Sequence, residues 1–328
     1  MIRVLHCQED QVCQKDLALD EVTAVLQSGQ GMIWLDIWGE ALAQSEAVLR
    51  DVFHFHPLAI DDALNETHAP KLDDWGDYLY IVLHAIKYTA PDHEPINLPE
   101  VDIFVGRNYL VTYHQEEIAP LERVWLVSQT DDRIRRNGIS RLLYRVADEL
   151  MNEHITAVEH IEEELEEIED EIFNGPDDDT LEQLFIQKRR VLQMRRTIGP
   201  QRLVFSALSR NHYAVIDPEA QVFFNDIYDH MVRLYDLMDS LRDLSTGSLT
   251  TYLSIVNNRM NNVMKTMAVV TALFLPLSFI TGFFGMNFFA PSIDTHTWTG
   301  WLPFEAAMLA MFLLPFVMFW YIRRRNWL

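Results

Sequence analysis

The stretch "FITGFFGMNF" (279–288) brings an apolar run to its end at Gly285, Met286 and Asn287, with no charged residue at the exit. Upstream of it Met267–Phe284 is apolar, and downstream Trp301–Ile322 is apolar again. From Thr266 to Ile322 there is no Lys or Arg, and the only acids are Asp294 and Glu305. A helix that crosses the hydrocarbon core needs about 17–25 residues, and both runs reach that length. Buried helices of a soluble protein are the alternative. The absence of charge, and Trp298, Trp301, Trp320 and Tyr321 near the ends of the second run, favour two membrane spans.

The basic residues orient those spans. Arg259 and Lys265 precede the first, Arg323, Arg324 and Arg325 follow the second, and the loop between them has none. Positive residues stay on the cytoplasmic side, so both termini are expected inside an inner or plasma membrane and the short loop outside. Gly285, Met286 and Asn287 then sit at the outer mouth of the membrane.

The rest of the chain is polar and acidic. In 328 residues with 49% hydrophobic content there is room for a large core and more than one structural unit. A formal net charge of −23 argues against nucleic acid, which needs clustered Lys and Arg, and favours cations as partners. Cys7 and Cys13 are the only cysteines; they cannot make a disulfide framework and suit a reducing compartment. A metal site on that pair lacks further Cys or His at ligand spacing. The start "MIRVLHCQED" carries no long apolar run after its Arg, so no cleaved signal peptide is expected.

The N-terminal part alternates strand and helix patterns. "MIWLDIW" (32–38), "YLYIVLHAI" (78–86) and "VDIFVGRNYLVTYH" (101–114) read as strands, the last as a hairpin turning at Gly106-Arg107-Asn108. "EALAQSEAVLRDVFHF" (40–55) has helical spacing, and Pro57 suits the first turn of another short helix. Residues 138–172 form a long helical pattern that turns acidic at "IEEELEEIEDEI" (161–172), and Asn174-Gly175-Pro176 ends it. A second helix starts in "DDDTLEQLFIQKRRVLQMRRTI" (177–198), acids first and bases later as the helix dipole favours, so an antiparallel pair is expected. The acidic run is a solvated face or a diffuse cation reservoir. From Pro218 helical spacing continues through Phe224, Ile227, Met231, Leu234, Met238, Leu241 and Leu244 into the first span, with Gly247 its weak point. About sixty residues of helix reach roughly 90 Å.

The chain thus divides into an α/β cytosolic domain (1–135), acidic antiparallel helices (136–217), a stalk helix (218–265), the first transmembrane helix (266–287), an extracytoplasmic loop (288–300), the second transmembrane helix (301–322) and a basic cytosolic tail (323–328). Two spans cannot enclose an aqueous path alone. Along the first, Asn261, Met264, Thr271, Leu275 and Ser278 fall near one helical face. Such a narrow, uncharged stripe serves either helix–helix packing or a pore.

"NNVMKTMAVVTALFLPLSFITGFFGMNF" (261–288), followed by a span ending "RRRNWL", resembles the CorA family of divalent-cation channels. "HPLAIDDALN" (56–65), "PKLDDWGDYLYIVLH" (70–84) and "FFNDIYDHMVRLYD" (223–236) are similar to its cytosolic domain and stalk. The resemblance implies a homopentameric funnel that conducts Mg²⁺, and also Co²⁺ and Ni²⁺, passively. Asn287 would form the outer selectivity ring, with Gly285 and Met286 holding its loop. Asn261, Met264, Met267, Thr271, Leu275 and Ser278 would face the pore. Asp62 of one subunit would face Asp226 of its neighbour, with Asp61 and Asp148 completing intracellular sites where Mg²⁺ closes the channel. Asn152 stands where a further acid would strengthen the second site.

The chemistry agrees, because Mg²⁺ prefers oxygen ligands and gives up its water reluctantly, and a ring of neutral Asn oxygens can hold a hydrated ion without trapping it. The sequence departs from the family in the loop "FFAPSIDTHTWTGW" (288–301), where Asp294 is the only acid and the Met-Pro-Glu element of typical Mg²⁺ transporters is missing. His296 adds one soft ligand there. The ZntB branch, associated with Zn²⁺ uptake and proton coupling, also varies this loop, but it commonly replaces the Met that is intact here as Met286. No phosphate-binding GxxxxGK[ST], HExxH or Gly-rich strand–helix turn points to an enzyme. A membrane-anchored sensor or scaffold is the reading from a different class, and an anchor would conduct no ions. His54, His56, His154 and His160 read as structural or surface residues.

Overall fold

The computed structural model describes residues 1–8, 13–15, 17–65, 67–87, 96–286 and 301–325. The elements in chain order are β1 (Ile2–Cys7), β2 (Gln14–Lys15), α1 (Leu19–Ser28), β3 (Met32–Trp38), α2 (Leu42–Ala47), α3 (Pro57–Asn65), β4 (Lys71–Asp74), β5 (Leu79–His84), β6 (Glu100–Val105), β7 (Tyr109–His114), α4 (Ala119–Ser128), α5 (Asp132–Asn174), α6 (Asp178–Arg210), α7 (Gln221–Gly285) and α8 (Trp301–Arg324). They fall into two compact units, Met1–Leu249 and Thr250–Leu328.

In the first unit the strands form one sheet in the order β2-β1-β3-β7-β6-β5-β4. Only β3 and β7 run parallel; the other neighbours are antiparallel. The expected hairpin is β6–β7, closing from Val105 opposite Leu110. Alternation along the strands sorts the two faces. Ile33, Leu35 and Ile37 of β3, with Val111 and Tyr113 of β7 and Phe104 of β6, join Val22 of α1 and Ala59, Ile60 and Ala63 of α3 in one core. The even-numbered residues of β3 turn the other way, where Trp34 meets Trp125 of α4 at 5.0 Å between ring centroids. Helices therefore cover both faces, and the central strands are buried throughout rather than alternating with solvent.

One detail corrects the sequence reading, and two add to it. The segment 40–55 is not one helix. α2 stops at Ala47, a π-helical turn occupies Val48–Val52, and His54 follows at φ 58°, which ends the helical path. Cys7 and Cys13, too few for a disulfide framework, are joined in one disulfide. Its origin is the register of β1 on β2: Leu5 pairs with Lys15 and His6 with Gln14, so the next pair outward is Cys7 and Cys13, with Cα atoms 4.3 Å apart. That is the close spacing of a non-hydrogen-bonded antiparallel pair. The long helix expected from residue 138 does start there: Gly138, whose φ of 65° and ψ of −156° only glycine adopts easily, breaks it from a short helical segment that begins at Asp132.

α5 and α6 are antiparallel. Arg190 of α6 pairs with Glu164 of α5 at 3.0 Å, and Gln187 also donates to Glu164. Asp177 caps α6 with a capping box to Thr180, which starts the helix in register after the Gly175 turn. The first part of α7 buries Phe224, Ile227, Met231, Leu234, Met238 and Leu241, as the spacing predicts, and then Ser245 and Ser248 take over the buried stripe. Arg195 of α6 holds Asp239 of α7 at 2.6 Å and the Tyr235 hydroxyl at 3.0 Å. Gly199 lets Tyr235 come close: a Cβ there would lie 3.3 Å from its ring.

The second unit is made of the rest of α7 and α8. Both helices contain segments long and apolar enough to cross a membrane. Leu253, Val256, Met264, Met267, Phe274, Leu275 and Phe279 of α7, and Trp301, Leu302, Phe312 and Phe316 of α8, are all exposed in the single chain. That much contiguous apolar surface is not stable in water and calls for lipid or further subunits.

Candidate functional site

The residues expected to face a pore all lie on α7. Asn261, Met264, Met267, Thr271, Leu275 and Ser278 are each solvent-accessible along the helix, and Met264, Met267 and Leu275 are 62%, 67% and 66% exposed. None is consumed by a core. The Thr271 hydroxyl donates to the Met267 carbonyl at 2.8 Å, and Thr281 does the same to Leu277 at 3.0 Å, so these hydroxyls are folded back onto the helix. Pro276 sits inside α7 and frees one backbone carbonyl a turn earlier.

α7 ends at Gly285, and Met286 closes the last turn by donating its N–H to the Phe283 carbonyl at 3.3 Å. Met286 itself is half exposed. Asn287, the residue expected to form the filter, lies outside the described residues, as do Asp294, His296 and Trp298 of the loop.

The four expected carboxylates fall into two neighbourhoods. Asp61 and Asp62 sit on α3, whose first turn is set by Pro57. Asp61 is exposed and accepts from Asn65 at 2.8 Å. Asp62 is half-buried; its Oδ2 takes the Lys71 ammonium at 2.5 Å and its Oδ1 lies 3.8 Å from His68 Nε2. Behind it, on the same face of the sheet, Glu100 and the fully buried Asp102 are both pushed up from the ordinary carboxylate range by burial. Tyr80 donates to Asp102 at 2.6 Å.

Asp148 of α5 and Asp226 of α7 form the second neighbourhood. Burial raises the Asp148 carboxyl, Arg145 at 3.1 Å opposes that, and the charges of Glu149 and Asp226 raise it further. Asp226 is exposed and lies 3.8 Å from His230 Nε2. The fold therefore brings Asp148 and Asp226 within electrostatic reach inside one chain. Among the described residues, no three His, Cys, Asp or Glu side chains of a single chain are arranged to hold a metal ion. What each neighbourhood offers is one or two accessible carboxylates. Their all-oxygen donor set fits a hard divalent ion, provided another chain completes the coordination.

Sequence reasoning missed the partners of these carboxylates. Lys71, His68, His230 and Arg145 drew no attention because their contacts depend on β4 folding beside α3, or on one turn of helix. The signal for His230 was present as the i, i+4 spacing from Asp226.

Residues 29–324 match the family described as CorA-like Mg²⁺ transporter protein. YfjQ of Bacillus subtilis is 32% identical over 320 residues, covering 97% of each chain. The cobalt/magnesium transport protein CorA of Thermotoga maritima is 31% identical over 305 residues, covering 90% of this chain and 83% of its own. The zinc transport protein ZntB of Cronobacter sakazakii is 24% identical over 281 residues, covering 83% of this chain and 81% of its own. The complete structure of the CorA magnesium transporter from Methanocaldococcus jannaschii shares the fold, with a TM-score of 0.80 at 23% identity over 99% of this chain and 98% of that one. An α/β soluble domain, a long helix reaching into the first apolar segment, and two C-terminal apolar helices are common to both. The chain belongs to the CorA-like Mg²⁺ transporter family and is a divalent-cation transporter of that family.

Proposed function

We propose that the chain assembles as a homopentamer in an inner or plasma membrane, with both termini cytoplasmic, and conducts hydrated Mg²⁺, with Co²⁺ and Ni²⁺ as further substrates, down the membrane potential. The observation that carries this reading is that α7 runs as one helix with an exposed, uncharged polar face up to Gly285, the first residue of the Gly-Met-Asn stretch in the sequence. Five such helices side by side would line a path with Asn, Met, Thr and Ser, and cover their apolar flanks against one another and α8. A ring of Asn287 amides would meet the ion's water shell with carbonyl dipoles. Asp62 and Asp61 of one subunit, opposite Asp226 and Asp148 of the next, would bind intracellular Mg²⁺ and hold the channel closed. The carboxylate oxygens support a hard ion there.

The Asn287→Ala variant tests the filter. It keeps the helix and the loop but removes the amide. Selective Mg²⁺ uptake should fall at least tenfold while the protein still elutes as the wild-type oligomer. Wild-type uptake by this variant would remove the Asn ring. A second reading, Zn²⁺ transport coupled to protons, is favoured by the loop that carries His296 and a single acid, and by the ZntB relative. Uptake that requires a pH gradient would select it.

A further inference from the structure

Asp62 does not wait for a metal with both oxygens open. Its Oδ2 is held by the Lys71 ammonium at 2.5 Å, and the two side chains are about equally sheltered, 27% and 31% exposed. Lys71 is well placed for this contact. It lies on β4, fixed by pairing with Val82 of β5, and its Nζ rests 5.2 Å above the Tyr80 ring. Its ammonium bridges to a second carboxylate at the same time, Asp73 at 3.2 Å. Asp61, one residue before Asp62, carries only the neutral Asn65 amide.

We infer that Lys71 is a tethered competitor of the regulatory divalent ion: it occupies Asp62 when the ion is absent, must leave Asp62 when the ion binds, and is then held by Asp73 alone. This rests on the reading that Asp62 ligates regulatory Mg²⁺. The physical argument is direct. A divalent ion and an ammonium cannot share one carboxylate without strong repulsion, so the ion's apparent affinity is reduced by the strength of the Lys71 contact. The competitor is part of the same chain, so its effective concentration is high and independent of the cytosol. Lys71 thereby sets the Mg²⁺ concentration at which the site fills. Asp73 lowers the cost of displacement because it keeps hold of the ammonium when Asp62 is taken by the ion.

The two residues act in opposite directions, and this separates competition from simple structural damage. Mg²⁺ titrations of the full-length protein, read by protease protection and by calorimetry, should show a midpoint about tenfold lower for Lys71→Gln, as expected when one adjacent charge is removed from a half-sheltered carboxylate. Lys71→Arg should stay within about twofold of wild type, because the charge is kept. Asp73→Asn should raise the midpoint severalfold, because Lys71 then has nowhere else to go. A loss of packing does not tighten metal binding, so the lowered midpoint is the decisive sign. An unchanged or raised midpoint in Lys71→Gln overturns the inference. If that variant does not fold, an unchanged or lowered midpoint in Asp73→Asn overturns it instead. Asp62→Asn tells the two levels apart. If it leaves the wild-type midpoint in place, the reading of Asp62 as a ligand fails; if it shifts the midpoint while Lys71→Gln does not lower it, the ligand stands and the competition fails.

Discussion

Asp36 sits fully buried in the middle of β3 and is the hub of a polar network under α4. It accepts from Arg3 Nε at 3.0 Å and Nη2 at 2.9 Å, from the Thr112 hydroxyl at 2.5 Å, and lies 3.1 Å from His114 Nε2. Arg3 in turn reaches Glu122 and stacks over Trp125, with 4.1 Å from its guanidinium carbon to the ring centre. Asp36→Ala should therefore leave Arg3 with Glu122 alone and take the buried acceptor from Thr112 and His114, costing about 3–5 kcal/mol in chemical unfolding; a loss under about 1 kcal/mol would mean that Glu122 and water suffice. In the sequence Asp36 is one acid inside "MIWLDIW", a stretch that reads simply as a strand. Its burial follows from β3 lying between β1 and β7 with helices over both faces, which no local pattern encodes. The Cys7–Cys13 bridge was hidden for the same reason: it depends on the pairing of β1 with the two-residue strand β2. By contrast, Gly106-Arg107-Asn108 announced its turn because turn chemistry is local.

At the scale of elements, the sheet is fastened to α5 and α6 by a chain of hydrogen bonds through Gln201. The His84 backbone N–H donates to Gln201 Oε1 at 2.8 Å, Gln201 Nε2 donates to His154 Nε2 at 2.8 Å, and His154 Nδ1 donates to the Leu150 carbonyl at 2.8 Å. This chain works only with a neutral His154, since a proton on Nε2 would meet the Gln201 donor head-on. Burial pulls both His84 and His154 down to about 4 from 6.5, and each imidazolium would also repel the other. The unfolded chain thus binds more protons between those values. The stability these residues supply is complete above about pH 6.5 and is lost as pH falls through about 4, on the order of 3 kcal/mol for each histidine. His154→Leu in the full-length protein should lower stability at pH 7.5 yet remove about half of the loss between pH 7 and pH 4. An unchanged pH slope in thermal unfolding would place the titration elsewhere. On α7, Leu275 is 66% exposed in the single chain and is the apolar member of the polar face. In a pentamer it should form the dry constriction of the closed pore. Leu275→Asn should leak cations at millimolar internal Mg²⁺, whereas an unchanged closed-state current would move the gate to another residue. Long elements such as α5, α6 and α7 were legible because hydrophobic spacing persists over many turns. The π-helical turn at Val48–Val52 was not, since apolar spacing over five residues does not distinguish i+4 from i+5 hydrogen bonding.

At the scale of the molecule, five chains that each carry a formal net charge of −23 would repel one another around a common axis. A pair of carboxylates such as Asp62 and Asp226 brought to about 4 Å across an interface costs about 1–4 kcal/mol at effective dielectrics of 80 to 20. Swinging a gate from 1:99 to 99:1 takes about 5.5 kcal/mol, so roughly 1 kcal/mol per interface is enough for bound Mg²⁺ to close the ring. The driving force for entry needs no nucleotide: −100 mV supplies about 2.3 kcal/mol per elementary charge, twice that for a divalent ion. The family could be read from residues 261–288, since the helix, its polar face and its Gly-Met-Asn end are continuous in the chain. The metal sites could not be completed from one chain, since their proposed partners belong to different subunits. The most direct measurement is ion flux into proteoliposomes holding the purified protein, with Mg²⁺, Co²⁺, Ni²⁺ or Zn²⁺ outside, an imposed potential, and the pH gradient present or absent. The account predicts Mg²⁺ entry that grows with inside-negative potential, is indifferent to the pH gradient, and stops when millimolar Mg²⁺ is loaded on the side facing Asp62 and Asp226. Uptake of Zn²⁺ but not Mg²⁺, or any uptake that vanishes without the pH gradient, would contradict it.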